Sequence, residues 1–335
     1  MKILPNSVGR LHNLQTLNVM ETLVRELPIE IFRLYKLRQI LAHSHDFEIK
    51  SSLYSVQGVK VHEGIGCLNE LQELSMIEAN HHGVGLFEEL GKLSQLRLLG
   101  ISNMTAKRGR ALCTSIQKMV HLNMLVVGAI SEDEIIDLES ISSPPPFLKH
   151  ISLKGRLKKL PNWIPKLQNL VTLVLHFSSL EEYPLPCVQA LPNLITLSLT
   201  NAYDGEQLHF EAGSFRKLKK LTLRKMEKLK MVKIDRGSLP SLEQLEIGPC
   251  PQMKEVPTGI QHLESLKIIN FFEMHREFVL RMQPDGGEDY WKVQKVTTIR
   301  LKYRIKGERY QIYKLGDLDL LERLQWSVLE DQTAM

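Results

Sequence analysis

The sequence predicts an α/β solenoid, in which short parallel strands stack side by side and each strand is followed by a return segment. Two observations predict this fold. The apolar pattern Leu-x-x-Leu-x-Leu recurs along most of the chain, and its later copies recur at a fixed step of 24 residues. These four copies begin at Leu194, Leu218, Leu242 and Leu266. A single unit of this size cannot bury its apolar side, so neighbouring units must supply the core.

Looser copies of the pattern precede these four, so the sequence predicts about eleven parallel strands. The earlier copies begin at Leu14, Leu37, Leu71, Leu96, Leu122, Leu148 and Leu170. A period of about 20–29 residues is typical of leucine-rich repeats. The second and third apolar positions of each copy are expected to face the core, because strand side chains alternate. The residues between them are expected to line the concave face of a horseshoe.

The step between the copies at Leu37 and Leu71 is about ten residues longer than the others. Insertions in solenoids lie in loops, so we expect the extra residues, within 42–64, to lie outside the strand stack.

The repeat pattern fades after Phe272. A strict apolar/polar alternation from Ile299 predicts a strand, and Gly307 is placed to turn it into a second strand. Residues 317–326 are predicted as a short helix. Because a terminal repeat needs a polar outer cap, this hairpin and helix are expected to cap the solenoid. We therefore divide the chain into a repeat domain, 1–272, and a C-terminal capping extension, 273–335.

The composition limits the class of function. The 335 residues are 43% hydrophobic and 24% charged, with a net charge of +5, as in ordinary soluble proteins. The four cysteines form no Cys-x-x-Cys pair, and no apolar run reaches the roughly 18 residues of a membrane span. The sequence contains no nucleophile elbow, His-Glu-x-x-His or Rossmann motif. It therefore predicts a soluble intracellular protein that is not an enzyme and uses no cofactor or metal.

Two histidine groups and one acidic segment are the remaining candidates for metal binding. His43-Ser44-His45 and His81-His82 have no carboxylate or Cys at ligand spacing, which favours solvated loop histidines. Residues 132–139 hold five acids but lack the glycine and the ligand alternation of a calcium loop. The apolar residues interleaved in this segment favour a short amphipathic helix.

The most basic segment is 216–236, which holds ten Lys or Arg residues against two acids. Lys220 and Arg224 are predicted to face outward from a strand, as are His150, Lys154 and His176 on earlier strands. A solvated surface and a docking site for an acidic partner both fit this segment. Nucleic acid is disfavoured because the segment has no aromatic rings for base stacking.

The N-terminal half instead has apolar residues at outward strand positions, namely Leu41, Ile77, Leu98, Met124 and Val126. Exposed apolar area of this kind usually marks an interaction site. We therefore predict a protein-binding face made of Leu98, Met124, Val126, His150, Lys154, His176, Lys220 and Arg224.

The return segments carry a more specific signal. Several contain a Leu-Pro step followed by apolar residues, as in Leu160-Pro161-Asn162-Trp163-Ile164. Longer strings include Gly58-Val59-Lys60-Val61, Gly64-Ile65-Gly66-Cys67-Leu68, Glu89-Leu90-Gly91-Lys92-Leu93, Ser143-Pro144-Pro145 and Ala202-Tyr203-Asp204-Gly205. Over about residues 1–290 the chain resembles the repeat domain of plant intracellular immune receptors, the nucleotide-binding leucine-rich-repeat receptors of the coiled-coil class.

The resemblance implies a cytoplasmic region that senses a pathogen effector or a guarded host protein. It also implies that this region restrains a nucleotide-binding domain of the same receptor, against which its N-terminal half folds. The sequence has neither that domain nor the coiled coil, and it begins inside a repeat, so a fragment or truncated product of a receptor is expected. The alternative is a stand-alone leucine-rich-repeat adaptor that scaffolds a signalling or ubiquitin-ligase complex.

Overall fold

The computed structural model describes residues 1–45, 56–79, 85–304 and 309–324. The chain forms two compact units, Met1–Leu180 and Glu181–Met335, which we call unit 1 and unit 2. Each unit contains a ladder of parallel strands joined by return segments that carry short helices.

Nine strands are described in unit 1, and seven of them form its parallel ladder in chain order. The strands are β1 (Thr16–Asn18), β2 (Gln39–Leu41), β3 (Ser44–His45), β4 (Val56–Gln57), β5 (Glu73–Glu78), β6 (Leu98–Met104), β7 (Met124–Ala129), β8 (His150–Lys154) and β9 (Thr172–His176). β3 and β4 pair antiparallel and only with each other. Those parts of the insertion within 42–64 therefore lie outside the ladder, as predicted, but Val59 forms a parallel bridge with Ile77 of β5, so the described insertion is not wholly separate from it.

Eight strands are described in unit 2. They are β10 (Thr196–Thr200), β11 (Gln207–Phe210), β12 (Lys220–Arg224), β13 (Met231–Ile234), β14 (Gln244–Ile247), β15 (Ile268–Phe272), β16 (Thr298–Tyr303) and β17 (Gln311–Tyr313). The ladder runs β10-β12-β14-β15-β16 in parallel, and β17 joins β16 antiparallel. β11 and β13 form a separate parallel pair, which the sequence analysis did not predict.

The helices are short and lie in the return segments and in the C-terminal part of the chain. The α-helices are α1 (Gly85–Leu90), α2 (Gly109–Ile116), α3 (Leu185–Val188), α4 (Arg276–Arg281) and α5 (Tyr290–Val293). The 3-10 helices are Asn6–Arg10, Ile29–Arg33, Ile65–Cys67, Ala106–Arg108, Ile164–Lys166 and Ile260–His262. Residues 318–324 are also helical, which agrees with the helix predicted over 317–326 as far as the structure describes it.

The eleven predicted repeat strands are all present among the described residues, as β1, β2, β5–β10, β12, β14 and β15. Their inner apolar positions are buried except at Met76 of β5, which is half-buried, and Leu221 and Leu223 of β12 are both 0% exposed. The strand predicted from Ile299 is β16, which pairs parallel with β15 and extends the ladder past Phe272. The hairpin with β17 is confirmed, whereas Gly307 lies outside the described residues. A domain boundary at residue 272 stays a prediction.

A β-bulge in β5 turns Ile77, which was predicted to face outward, into the core. The register between β5 and β6 shifts by one residue, after which Ile77 pairs with Ile101. Met76 has φ 50° at the bulge, and a Cβ on the facing Gly100 would lie 2.6 Å from the Met76 nitrogen. The extra residue turns Ile77 into the core, where it is 0% exposed. The prediction that Ile77 faces outward is therefore wrong.

The acidic segment also differs from its prediction. Residues 132–139 contain no helix, and Ile135 forms a parallel bridge with Arg156. The Ile136 N–H donates to the Arg156 carbonyl at 2.9 Å. Ile136 and Leu138 are buried, while the residue between them is exposed. This alternation is that of extended backbone, so the predicted amphipathic helix is wrong.

The Leu-Pro steps lead into return segments that begin with a 3-10 helix, at Ile29–Arg33, Ile164–Lys166 and Ile260–His262. Proline has a fixed φ and no N–H, so it ends extended pairing where the chain turns. In one of these steps Trp163 is 2% exposed and its indole N–H donates to the Leu138 carbonyl at 2.8 Å. The step thus anchors one return segment to the preceding one.

A buried ionic cluster holds the C-terminal part of unit 2 together. The Asp289 carboxylate accepts from the Arg281 Nε at 2.9 Å and from the Val256 N–H at 3.2 Å. Lys292 Nζ lies 2.7 Å from the same carboxylate, whose side chain is 3% exposed. Burial alone would raise the pKa of Asp289, but the hydrogen bonds from Arg281 and Lys292 hold the pKa below its ordinary value.

Two strand faces as candidate protein-binding sites

Side chains of the ladder strands alternate between the core and a second face, which we call the open face of each unit. In unit 1 the open face carries an apolar strip, which we define as Leu98, Met124 and Val126. Leu98 pairs with Met124 across β6 and β7, and Val126 lies two residues beyond Met124. All three side chains are half-buried. Since neighbouring strands lie about 4.8 Å apart, the strip is continuous.

Three further predicted site residues lie on the strands that follow. His150 pairs with Met124, and Lys154 pairs with His176. Burial, and then the nearby Lys149, lower the pKa of His150, which favours the neutral imidazole near neutral pH. Burial likewise lowers the pKa of Lys154, whose ammonium forms no ion pair within the described residues. The structure therefore brings all six predicted residues of unit 1 to one face, and one of them, Lys154, has no counter-charge among the described residues.

The two predicted site residues of unit 2 also lie on its open face, but each has a partner there. Lys220 Nζ lies 3.5 Å from Glu246 Oε1. The Arg224 guanidinium lies over the Phe272 ring, with Cζ 3.9 Å from the ring centroid. Its Nη2 lies 3.5 Å from the Tyr310 hydroxyl. The charge of Arg224 is thus held against an aromatic pair rather than extended into water.

Sequence reasoning missed Asn270, Phe272, Arg300, Lys302 and Tyr310, which surround these two residues. Phe272 lies 48 residues after Arg224, two steps of 24, so the period itself was a signal that could have found it. Arg300 and Lys302 occupy the polar positions of the alternation from Ile299. They were not assigned to the face because β16 was not expected to extend the parallel ladder.

Ion pairs along the repeats neutralise part of the basic segment 216–236. Ion pairs join Lys230 to Glu206 at 2.6 Å, Lys228 to Asp204 at 3.8 Å and Lys219 to Glu243 at 3.0 Å. In each pair the two residues are 24 apart, one repeat. Because these side chains are largely exposed, each pair contributes only about 0–1 kcal/mol. The segment is therefore mainly a solvated surface, and its strand residues Lys220 and Arg224 lie on the open face.

Other features that would define a catalytic or metal site are not seen in the described part of the chain. No group of three or more His, Cys, Asp or Glu side chains there could hold a metal ion. A cleft between α5 and β16–β17 is lined by Tyr290, Val293, Thr298 and Ile312 among others, and its described lining includes no His, Cys, Asp or Glu. Among the described residues, no helix combines the length and the apolar character that crossing a membrane requires.

Comparison with known proteins agrees with this architecture. A family model described as a leucine-rich repeat region matches residues 1–282. The chain therefore belongs to the leucine-rich-repeat family. It is 31% identical to disease resistance protein RPM1 of Arabidopsis thaliana, over 83% of this chain and 29% of that protein. It is 28% identical to disease resistance protein RPP8 of the same plant, over 70% of this chain and 26% of that protein.

These relatives confirm the resemblance to plant disease resistance proteins. The chain spans 29% and 26% of the length of RPM1 and RPP8, so it is similar to one region of each. Among solved structures, an internalin (inlF) from Listeria monocytogenes has a TM-score of 0.51 at 16% identity, covering 88% of this chain and 83% of that one. That likeness shows the fold alone. Leucine-rich repeats are generally protein-interaction modules rather than catalysts.

Proposed function

We propose that this chain is the sensing and restraining leucine-rich-repeat region of a plant disease resistance protein, that it acts in the cytoplasm, and that it catalyses no reaction. Its partners are proteins: a pathogen effector, a guarded host protein or the nucleotide-binding domain of the same receptor. The observation that carries the proposal is the apolar strip on the open face of unit 1, because a surface that met only water would favour polar residues there.

The residues of this face suit contact with a protein. Full burial of a Leu, Met or Val side chain contributes about 1.5–3 kcal/mol, so covering the exposed part of the strip favours binding. A neutral His150 adds little desolvation cost beside Met124. Lys154 can then accept a carboxylate of the partner as the counter-charge that it lacks within the described residues. The strip supplies affinity, and Lys154 supplies orientation.

The test begins with the transcript that encodes the chain. An in-frame nucleotide-binding domain encoded upstream of Met1 is expected. That domain is then co-expressed with the chain carrying Met124→Gln, and capture of one by the other is measured. Capture should fall by about tenfold, whereas the matched control Met231→Gln, at a methionine that is 43% exposed on β13, should leave it unchanged. Equal capture by both variants would overturn the role given to the strip.

The alternative, a stand-alone adaptor, is not favoured by the relatives. It predicts that no nucleotide-binding domain is encoded in frame. It also predicts that the chain purifies from plant tissue with a signalling or ubiquitin-ligase complex.

A further inference from the structure

The open face of unit 2 carries four cations around one amide. In register along the ladder, Asn270 of β15 lies between Glu246 of β14 and Arg300 of β16. Two residues further along the strands, Lys302 pairs with Phe272. Lys220 and Arg224 complete the group from β12. We call Lys220, Arg224, Arg300 and Lys302 the cationic cluster.

The cationic cluster has too little negative charge of its own. Glu246 is half-buried and lies 3.5 Å from Lys220 Nζ. Within the described residues neither Arg300 nor Lys302 forms an ion pair. Burial lowers the pKa of Lys302, and the charges of Arg300, Arg224 and Lys220 lower it further, while Glu246 acts in the opposite direction. The cluster therefore favours an added anion.

Asn270 supplies a second, independent sign of a missing ligand. It is 6% exposed, and its side-chain oxygen is buried without a hydrogen-bond partner among the described residues. Buried polar atoms are nearly always paired, so the unpaired Asn270 oxygen indicates a missing hydrogen-bond partner. A side-chain amide offers one acceptor and two donor hydrogens, the same groups that a peptide backbone presents. Its place within the cationic cluster suits a ligand that has both carboxylates and peptide groups.

We propose that the cationic cluster binds an acidic segment of a partner protein. Asp or Glu carboxylates of the segment lie against Arg300 and Lys302, and the Asn270 amide hydrogen-bonds its backbone. This inference deepens the proposed function by naming the chemistry of a second contact, and it rests on that function only in taking the ligand to be a protein.

Nucleic acid fits the cationic cluster less well. Phe272 is 6% exposed, and the cations of Arg224 and Lys302 lie 3.9 Å and 4.8 Å from its centroid. Tyr310 is covered by the Arg304 guanidinium at 4.6 Å. Phe272 is therefore closed to a stacking base, and one face of the Tyr310 ring is occupied, whereas single-strand binding relies on open stacking platforms. Glu246 would in addition repel phosphate, whereas an acidic peptide can place its carboxylates away from Glu246 and its backbone near it.

The experiment measures binding of a fluorescein-labelled peptide in which Glu alternates with Gly. The full 335-residue chain is used, and fluorescence anisotropy is recorded at low and moderate salt. A Gln-Gly peptide and an oligothymidylate of equal length are the comparison ligands. Arg300→Gln and Lys302→Gln should each weaken binding of the Glu-Gly peptide by about tenfold, or about 1.4 kcal/mol. The control Lys267→Gln removes an exposed lysine that pairs with Glu243 at 3.7 Å and should change nothing.

Asn270→Asp is tested by thermal stability as well as by peptide binding. The new carboxylate would occupy the place of the proposed ligand, so peptide binding should be lost. Because the carboxylate also supplies negative charge to the cationic cluster, the thermal midpoint should stay equal to that of the wild type or rise. A lower midpoint would contradict the proposed shortage of negative charge.

Two results would overturn the acidic-segment proposal directly. One is equal affinity for the Glu-Gly and Gln-Gly peptides. The other is tighter binding of oligothymidylate that depends on Arg300 and Lys302, which would make the site a nucleic-acid site. If either result appears while Met124→Gln still reduces capture of the nucleotide-binding domain, the present inference fails and the proposed function stands.

Discussion

The two units share one way of building a core and differ in what their open faces present. Leu125 of unit 1 and Leu221 of unit 2 hold the same place in the repeat, and both are 0% exposed. On the other side of the same strands, unit 1 carries Met124 and Val126, whereas unit 2 carries Lys220 and Arg224. The difference shows that packing between repeats constrains the inner positions, while the outer positions are free to vary.

The shared burial of Leu125 and Leu221 predicts the first of the large losses of stability. Leu125→Ala and Leu221→Ala should each cost about 2–5 kcal/mol of unfolding free energy, because each leaves a cavity enclosed by neighbouring repeats. Val126→Ala and Ser198→Ala, at half-buried open-face positions, are the controls and should cost less. Urea titration of the four variants measures this. Equal losses at inner and outer positions would contradict the strand phase in that unit. Thr222 would make a poor control, because it is only 6% exposed although it lies on the open face.

A comparably large effect is expected in unit 2 alone. Asp289 is the one charged side chain that is fully buried among the described residues. Asp289→Asn should cost about 3–5 kcal/mol, because it leaves Arg281 and Lys292 without their shared carboxylate. Glu255→Gln removes a 59%-exposed carboxylate 3.8 Å from Arg281 and should cost less than about 1 kcal/mol. Denaturant midpoints that coincide for the two variants would show that Asp289 does not hold this region together.

The same carboxylate gives a pH dependence with a definite sign. The folded pKa of Asp289 lies below its unfolded value of about 3.9, so its stabilisation is present above that pH. The stabilisation is lost as the pH falls through the folded pKa. The stability gap between wild type and Asp289→Asn should therefore be full at neutral pH and narrow in acid. A gap that widens on acidification would reverse the assigned direction of the pKa shift.

A moderate effect is expected at the apolar strip of unit 1. A hydrophobic dye should bind the chain, and Leu98→Gln with Met124→Gln should reduce its fluorescence several-fold, since both side chains contribute exposed apolar area. Arg300→Gln, on the open face of unit 2, should leave the dye signal unchanged. If the unit 2 variant lowers the signal as much as the unit 1 pair does, the contrast between the two faces is wrong.

The smallest effect is expected for the ion pairs that link neighbouring repeats. The side chains of Lys219 and Glu243 are 57% and 37% exposed, with 3.0 Å between Nζ and Oε1. Lys219→Ala should change the unfolding free energy by no more than about 1 kcal/mol. A loss of unfolding free energy as large as that of Leu221→Ala in the same urea titration would show that these ion pairs stabilise unit 2 as much as its core does.

Particular residues show what the sequence could and could not predict. The burial of Leu221 followed from a repeated spacing, because the period places every inner leucine against equivalents in the next repeats. The burial of Ile77 did not, because it depends on a bulge that Gly100 of the next strand accommodates. The partners of Arg224 lie 48 and 86 residues further along the chain, at Phe272 and Tyr310. Charge and periodicity placed Arg224 on the open face, and the period could also have indicated Phe272, but nothing in the sequence indicated Tyr310, which lies in a hairpin outside the repeat pattern.

The helix predicted over 132–139 failed for a related reason. Its apolar residues fit both a helical and an extended period, and the bridge from Ile135 to Arg156 decided between them. Short segments of this kind take the conformation that offers their backbone groups a partner, and that partner is distant in sequence.

The proposed difference in binding between the two open faces is tested most directly by comparing two variants of the chain, each with two ligands. Met124→Gln in unit 1 and Arg300→Gln in unit 2 are each titrated with the nucleotide-binding domain and with the Glu-Gly peptide. We predict that Met124→Gln weakens binding of the domain by about tenfold and spares the peptide, while Arg300→Gln weakens binding of the peptide by about tenfold and spares the domain. If one variant weakens both ligands equally, or if neither variant weakens either ligand, the two open faces do not have the separate binding roles assigned to them.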